Sequence, residues 1–116
     1  MAIFYHYSPI EKERLYIVMD FKLFENGNLR VDLWESGIPY GMVSFMLDER
    51  LERGEIAVYN FKKLIGIMDS MIEAEIIEPP HRFVEYNSLK IPICKLRIDI
   101  PELLYCPELK QEMKYL

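Results

Sequence analysis

The chain has 116 residues, 51% of them apolar and 28% charged, and its 14 Lys and Arg against 19 Asp and Glu leave a formal net charge of −5. Disorder needs low hydrophobicity and high net charge, so the chain is expected to fold, and a chain this long buries roughly two-thirds of its unfolded surface without metal or disulfide. The acidic balance argues against the basic footprint of a nucleic-acid binder, and it is too weak to imitate a DNA backbone over the whole surface.

The longest uncharged stretch, Ser36 to Leu47, falls short of the ~20 apolar residues that span a bilayer. Met1 to Tyr7 has no basic n-region and no small-residue cleavage site. Cys94 and Cys106 form no disulfide framework and read as two ordinary thiols of a reducing compartment. With no repeat, low-complexity tract or linker, the expectation is one cytoplasmic domain over residues 1–116, without membrane contact.

In chain order, Leu15, Ile17, Met19, Phe21 and Leu23 alternate with a more polar set that includes Asp20 and Lys22, the period of a half-buried strand. Leu29, Val31 and Leu33 alternate likewise with Arg30, Asp32 and Trp34. Glu25-Asn26-Gly27-Asn28 between them is a hairpin signal. Parity decides the loop length, because opposed residues share a face. A two-residue loop would set Phe21 opposite Asp32 and Leu23 opposite Arg30. A three-residue loop, Glu25-Asn26-Gly27 with Gly27 left-handed, sets Leu23 opposite Leu29, Phe21 opposite Val31 and Met19 opposite Leu33, and is the predicted register.

After the turn Ser36-Gly37-Ile38-Pro39, the run Tyr40 to Leu47 reads as a third strand, with Val43, Phe45 and Leu47 on one face and Met42, Ser44 and Met46 on the other. Asp48 to Glu55 reads as an exposed, charged loop, its ion pairs a solvated surface, leading to a short strand at Ile56 to Tyr59. Asn60 is a good N-cap, and Phe61, Leu64, Ile65, Met68, Met71 and Ile72 follow at helical spacing, which predicts one amphipathic helix over about 60–75. Gly66 inside it costs about 1 kcal/mol relative to Ala and suggests a close approach to the sheet. Pro79-Pro80 forbids continuation.

Strands are expected again at Phe83 to Tyr86 and Leu89 to Ile98. The apolar phase of the second changes near Pro92 to Cys94, as a bulge or an edge strand requires. Pro101 and Pro107 frame a tail over 99–116 that is expected to pack on the domain, with a short helix at Glu108 to Leu116. The predicted class is therefore α+β: an antiparallel sheet of about four to six strands with the 60–75 helix on one face.

Catalytic constellations are sparse. Neither His6 nor His81 lies in a metal or nucleophile motif, and there is no Gly-rich phosphate loop, H-E-x-x-H or C-x-x-C. Cys94 could serve as nucleophile with His81 as base, or the two could help to bind a small molecule, but Cys94 stands in the string Ile91-Pro92-Ile93-Cys94, where a cysteine is more often a small buried hydrophobe. Zinc sites draw ligands from close pairs, and His6, His81, Cys94 and Cys106 provide none. No catalytic residue, metal or cofactor is expected.

Surface character points to binding. The sheet face opposite the helix would carry Tyr16, Val18, Phe24, Trp34, Met42 and Met46, an apolar set of the kind that anchors interfaces. It is to be covered by the Ile3-Phe4-Tyr5 segment or the tail, by a second copy in a homodimer, or by a protein partner. The helix end also carries Asp69, Glu73, Glu75 and Glu78, although the helix dipole disfavours negative charge at a C-terminus. These acids read either as a solvated end or as a patch for a basic partner, such as the nucleic-acid-binding groove of another protein.

One order of motifs is shared with a known family: Asn26-Gly27 and the strand Leu29 to Leu33, Gly37-Ile38-Pro39-Tyr40 leading into Met42-Val43-Ser44-Phe45-Met46-Leu47, then Ala57-Val58-Tyr59-Asn60-Phe61, Ala74-Glu75-Ile76-Ile77 and Leu89-Lys90-Ile91-Pro92-Ile93-Cys94-Lys95-Leu96. Over residues 15–98 the chain resembles a short uncharacterised domain family carried on conjugative transposons and prophages of gut bacteria. The tail from Asp99 to Leu116 departs from it. The family has no assigned catalytic residues, so the resemblance transfers no site. It implies a mobile element in a bacterial cytoplasm and action by protein binding, including inhibition of host defence nucleases such as CRISPR effectors, an expectation from setting rather than from residues.

Overall fold

The computed structural model describes residues 2–99. Its first half is a four-stranded antiparallel meander of β1 (Ala2–Ser8), β2 (Glu13–Leu23), β3 (Leu29–Glu35) and β4 (Ile38–Met42), in the order β1-β2-β3-β4. Alternation places Phe4 of β1, Leu15, Ile17 and Met19 of β2 and Leu29, Val31 and Leu33 of β3 in the core, all nearly inaccessible. Each such side chain stabilises the fold by about 1.5–3 kcal/mol on leaving water.

The hairpin between β2 and β3 has the register predicted from parity, with Met19 opposite Leu33, Phe21 opposite Val31 and Leu23 opposite Leu29. The Gly27 N–H donates to Phe24 O at 2.9 Å, the Phe24 N–H donates to Asn28 O at 2.8 Å, and Gly27 takes φ +87°. This is the three-residue loop with glycine at its left-handed position. The tip also holds the next loop. Asn28 is buried, donates through Nδ2 to Glu49 O at 2.8 Å and accepts the Leu51 N–H on Oδ1 at 2.8 Å, while Asn26 Nδ2 donates to Leu47 O at 2.7 Å.

Past β4 the chain departs from the expected strand over 40–47. A bulge at Leu33/Trp34 shifts the β3–β4 register, pairing resumes as far as Asp32–Met42, and residues 43–45 then cross to a second sheet. There the Phe45 N–H donates to Ala57 O at 2.7 Å and the Tyr59 N–H to Val43 O at 2.6 Å. Ser44, whose Oγ accepts the Val31 N–H at 2.8 Å, satisfies the crossing point.

The second sheet comprises β5 (Glu55–Ala57), β6 (Arg82–Tyr86) and β7 (Leu89–Lys95), ordered β5-β7-β6 and antiparallel throughout. β7 is thus the central strand, not an edge, and its register with both neighbours is unbroken. The apparent phase change at Pro92–Cys94 has another cause: residues 91–94 are buried on both faces, Cys94 in the main core and Ile91 and Ile93 in a second cluster with Leu47, Leu51 and Ala57. Pro92 lies one residue beyond the last β5–β7 pair, Ala57–Ile93, and its carbonyl accepts the Val58 N–H at 2.9 Å. Pro92 also pairs with Phe83 of β6, but its N position faces the Val58 side together with its carbonyl, so the missing N–H removes no bond between β6 and β7.

The 60–75 helix is corrected. A single 3₁₀ turn (Lys62–Leu64) and α1 (Ile67–Glu73) replace it, separated by Gly66 at φ +86°. The break consists of an extended Ile65 (ψ 132°) followed by the left-handed Gly66, which lies beside His6 of β1 and Pro9 of the following turn: a Cβ there would meet Pro9 Cγ at 3.4 Å and His6 Cε1 at 3.8 Å. Asn60 is not the N-cap of either segment, since Phe61 precedes the 3₁₀ turn and Gly66 precedes α1, but its Oδ1 accepts the Met68 N–H in the first turn of α1 at 3.1 Å. α1 lies against β1, where Ile67 and Met71 are buried and Ser70 Oγ bonds His6 Nδ1 at 2.8 Å. It ends in a Schellman motif, the Ile76 N–H donating to Met71 O at 2.9 Å and the Glu75 N–H to Ile72 O at 3.0 Å.

The architecture is α+β, with more sheet and less helix than expected: seven strands in two sheets and one short α-helix among the described residues. The expected tail helix at Glu108 to Leu116 and its packing lie outside those residues.

Candidate protein-binding face

The outer face of the first sheet is built by the alternate residues of β1, β2 and β3. Ile3 pairs with Val18, which pairs with Trp34; Tyr5 pairs with Tyr16, and Tyr7 with Arg14. Ile3, Tyr5, Tyr7 and Tyr16 are 45%, 54%, 59% and 48% exposed, while Val18 and Trp34 are half-buried among them. The Tyr5 and Tyr16 rings meet edge to face at 5.5 Å, and the Arg14 guanidinium lies 4.1 Å from the Tyr5 centroid. Neighbouring rings thereby hold one another in fixed geometry.

The N-terminal segment does not cover this face. Ile3-Phe4-Tyr5 joins the sheet edge as β1, pairing with β2, because its own alternation sends Phe4 inward and Ile3 and Tyr5 outward. Its aromatics extend the outer face beyond the residues of β2 and β3.

Of the six residues expected to share this face, the structure gathers only Tyr16, Val18 and Trp34. Towards the hairpin tip the face turns ionic: Lys22 Nζ lies 3.2 Å from Asp32 and 3.5 Å from Asp20, and Arg30 Nε 3.1 Å from Asp32. Phe24 stands in the loop beyond these charges, half-buried. Met42 and Met46, both exposed, belong to a separate cleft with Ser44, Phe45 and Tyr59. There Phe45 stacks on Tyr59 at 6.1 Å and meets Tyr86 edge-on at 5.1 Å. Met42 pairs with Asp32, so the ionic cluster separates it from the aromatic part of the face, and the crossing of residues 43–45 carries Met46 beyond the first sheet.

The acids do not form one patch. Asp69 lies in the first turn of α1, where the dipole favours it, Glu73 is the last helical residue, and Glu75, at φ +60°, and Glu78 lie in the chain beyond. All are exposed. Only Glu73 joins the aromatic edge, in a cleft of about 500 Å³ with Tyr5, Tyr7, Arg14, Ser70 and Ala74.

Cys94 and His81 are not brought together. Cys94 pairs with Ile56 and shares its core face, where burial pushes the thiol up to about 11. His81 instead donates through Nε2 to Glu55, the residue before Ile56, whose side chain points to the opposite face. Glu55 corrects the reading of its loop as merely solvated. It is 4% exposed; burial alone would raise its pKa, but the Glu52 N–H at 2.9 Å, Arg82 at 3.2 Å and His81 outweigh that and hold it below the usual carboxylate range. His6 is fully buried in the main core, far from any ligand set, and burial lowers its pKa against the opposing pull of Glu11. Among the described residues no group of three or more His, Cys, Asp and Glu is placed to hold a metal ion, and no helix is long and apolar enough to cross a membrane.

The fold and face define an α+β domain with an aromatic outer sheet surface. No protein-family model matches the chain, and comparison with curated proteins and with solved structures yields no match.

Proposed function

We propose that the chain is a non-catalytic protein-binding domain whose contact surface is the outer face of β1–β3. The observation that carries this reading is the ring pair Tyr5–Tyr16 with Ile3, Val18 and Trp34 beside it, large side chains left accessible on a sheet face whose other half is ionic. Solvent-facing sheet positions ordinarily carry polar residues, whereas rigid aromatics beside an Arg are the composition of interface centres. In the setting suggested by the family resemblance, a mobile element in a bacterial cytoplasm, the partner is a component of the host's defence, such as a CRISPR effector nuclease.

The test is capture by the tagged full chain from host lysate and from lysates expressing candidate defence nucleases. Recovery of a defence component by the wild-type chain, lost on Tyr16→Glu with the circular dichroism unchanged, supports the reading. Capture of nothing above a tag-only background refutes it. A mass near twice 13.9 kDa that Tyr16→Glu halves would assign the face to a second copy instead.

A further inference from the structure

The two sheets have four edges, and three are guarded. β4 (Ile38–Met42) carries Pro39 and is interrupted by a bulge, β5 is three residues long, and β6 presents Arg82 and Glu85. Short strands, prolines, bulges and charges are the devices that prevent pairing with another chain. β1 has none: its sequence Ala-Ile-Phe-Tyr-His-Tyr-Ser is seven residues long, unbroken and without a formal charge. Outside its ladder with β2, its one backbone bond among the described residues is from the Lys12 N–H to Ser8 O. The outward N–H and C=O groups of β1 therefore form an open template.

This edge also borders the cleft of about 500 Å³, walled on one side by Tyr5, Tyr7 and Arg14 and on the other by Ser70, Glu73 and Ala74 of α1. Small side chains, Ser70 and Ala74, leave room between helix and strand. The Glu73 carboxylate sits at the helix C-terminus, where the dipole disfavours it, without an ion-pair partner among the described residues. A strand-plus-helix groove of this kind accepts a peptide as an added strand. A second copy does not fit as well: strands pair about 4.8 Å apart whereas packed helices need 8–10 Å, so pairing β1 with β1 of another copy would drive the two α1 helices together.

We propose that the groove between the free edge of β1 and α1 is a docking site for an extended peptide segment of a protein partner, added to β1 as a fifth strand and carrying a Lys or Arg that meets Glu73. The inference rests on the reading of the chain as a protein-binding domain and names the chemistry of the partner.

The test pans a random heptapeptide phage library on the full chain and follows selected synthetic peptides by hydrogen exchange. The expected result is enrichment of uncharged, β-prone heptamers with one Lys or Arg, which slow exchange of backbone amides within residues 2–8. Their affinity falls at least about tenfold on Glu73→Lys, as for a desolvated charge pair that loses one member, and stays unchanged on the matched charge reversal Glu85→Lys, an exposed position of β6 outside the groove. Absence of enrichment, protection elsewhere, or equal affinity for Glu73→Lys overturns the proposal. So does slow exchange of those amides in the peptide-free chain, which would mean that the edge is already occupied: by a second copy if dilution releases it, and by residues 100–116 if dilution does not. Loss of partner capture on Tyr16→Glu alongside a failed peptide selection would leave the binding function standing and this groove refuted.

Discussion

Gly66→Ala separates two accounts of the segment 60–75 by the sign of its effect. Were Gly66 inside a continuous helix, alanine would stabilise the protein by about 1 kcal/mol. In the structure Gly66 has φ +86° and ends one helical segment before another begins. An L-residue in the left-handed region costs about 1–2 kcal/mol, and the added Cβ would meet Pro9 Cγ at 3.4 Å, an ordinary contact that adds little. The expected result is therefore destabilisation by about 1–2 kcal/mol, which for a domain of this size lowers Tm by roughly 4–15 °C. Urea unfolding followed by far-UV circular dichroism measures it, with an unchanged m-value showing that the effect lies in stability. A stabilised Gly66→Ala protein would refute the broken helix.

Glu75→Gly should act in the opposite direction. Glu75 occupies the left-handed position of the Schellman motif at φ +60°, where glycine is favoured, so the substitution should raise the urea midpoint by the equivalent of about 1 kcal/mol. Glu55→Gln should destabilise by about 2–3 kcal/mol, since it weakens charge-assisted bonds from Arg82 and His81 at a buried site. Because the folded-state pKa of Glu55 is depressed, its contribution is present above the unfolded value near 4.5 and is lost as pH falls through the folded one, so the stability gap between wild type and Glu55→Gln should close on acidification. Cys94 should resist thiol reagents at neutral pH until denaturant is added, its thiol being buried and pushed up to about 11, and peptide mapping by mass spectrometry would report this separately from Cys106.

The hairpin was legible because its evidence is arithmetic: only one loop length keeps Leu23, Phe21 and Met19 opposite apolar partners, and that register is the one found. The same parity placed Tyr16, Val18 and Trp34 together on the outer face. The helix misled because Phe61 to Ile72 have helical spacing whether or not Ile65 and Gly66 break the run, and side-chain periodicity does not report backbone angles. β7 misled because strand periodicity assumes one buried face, and Ile91 to Cys94 have two. The alternation of Ile3, Tyr5 and Tyr7 against Phe4, His6 and Ser8 was the available signal for β1, and with it for the aromatic edge. Glu55 joins partners 26 and 27 residues away, and no local pattern announces such a contact.

Trp34→Glu in the capture experiment tests the binding face most directly. Trp34 is half-buried at the centre of the outer face, paired with Val18. The account predicts a variant with wild-type circular dichroism that no longer retains the partner held by the wild-type chain. Undiminished capture by a folded Trp34→Glu protein, or loss of the fold itself, would contradict it.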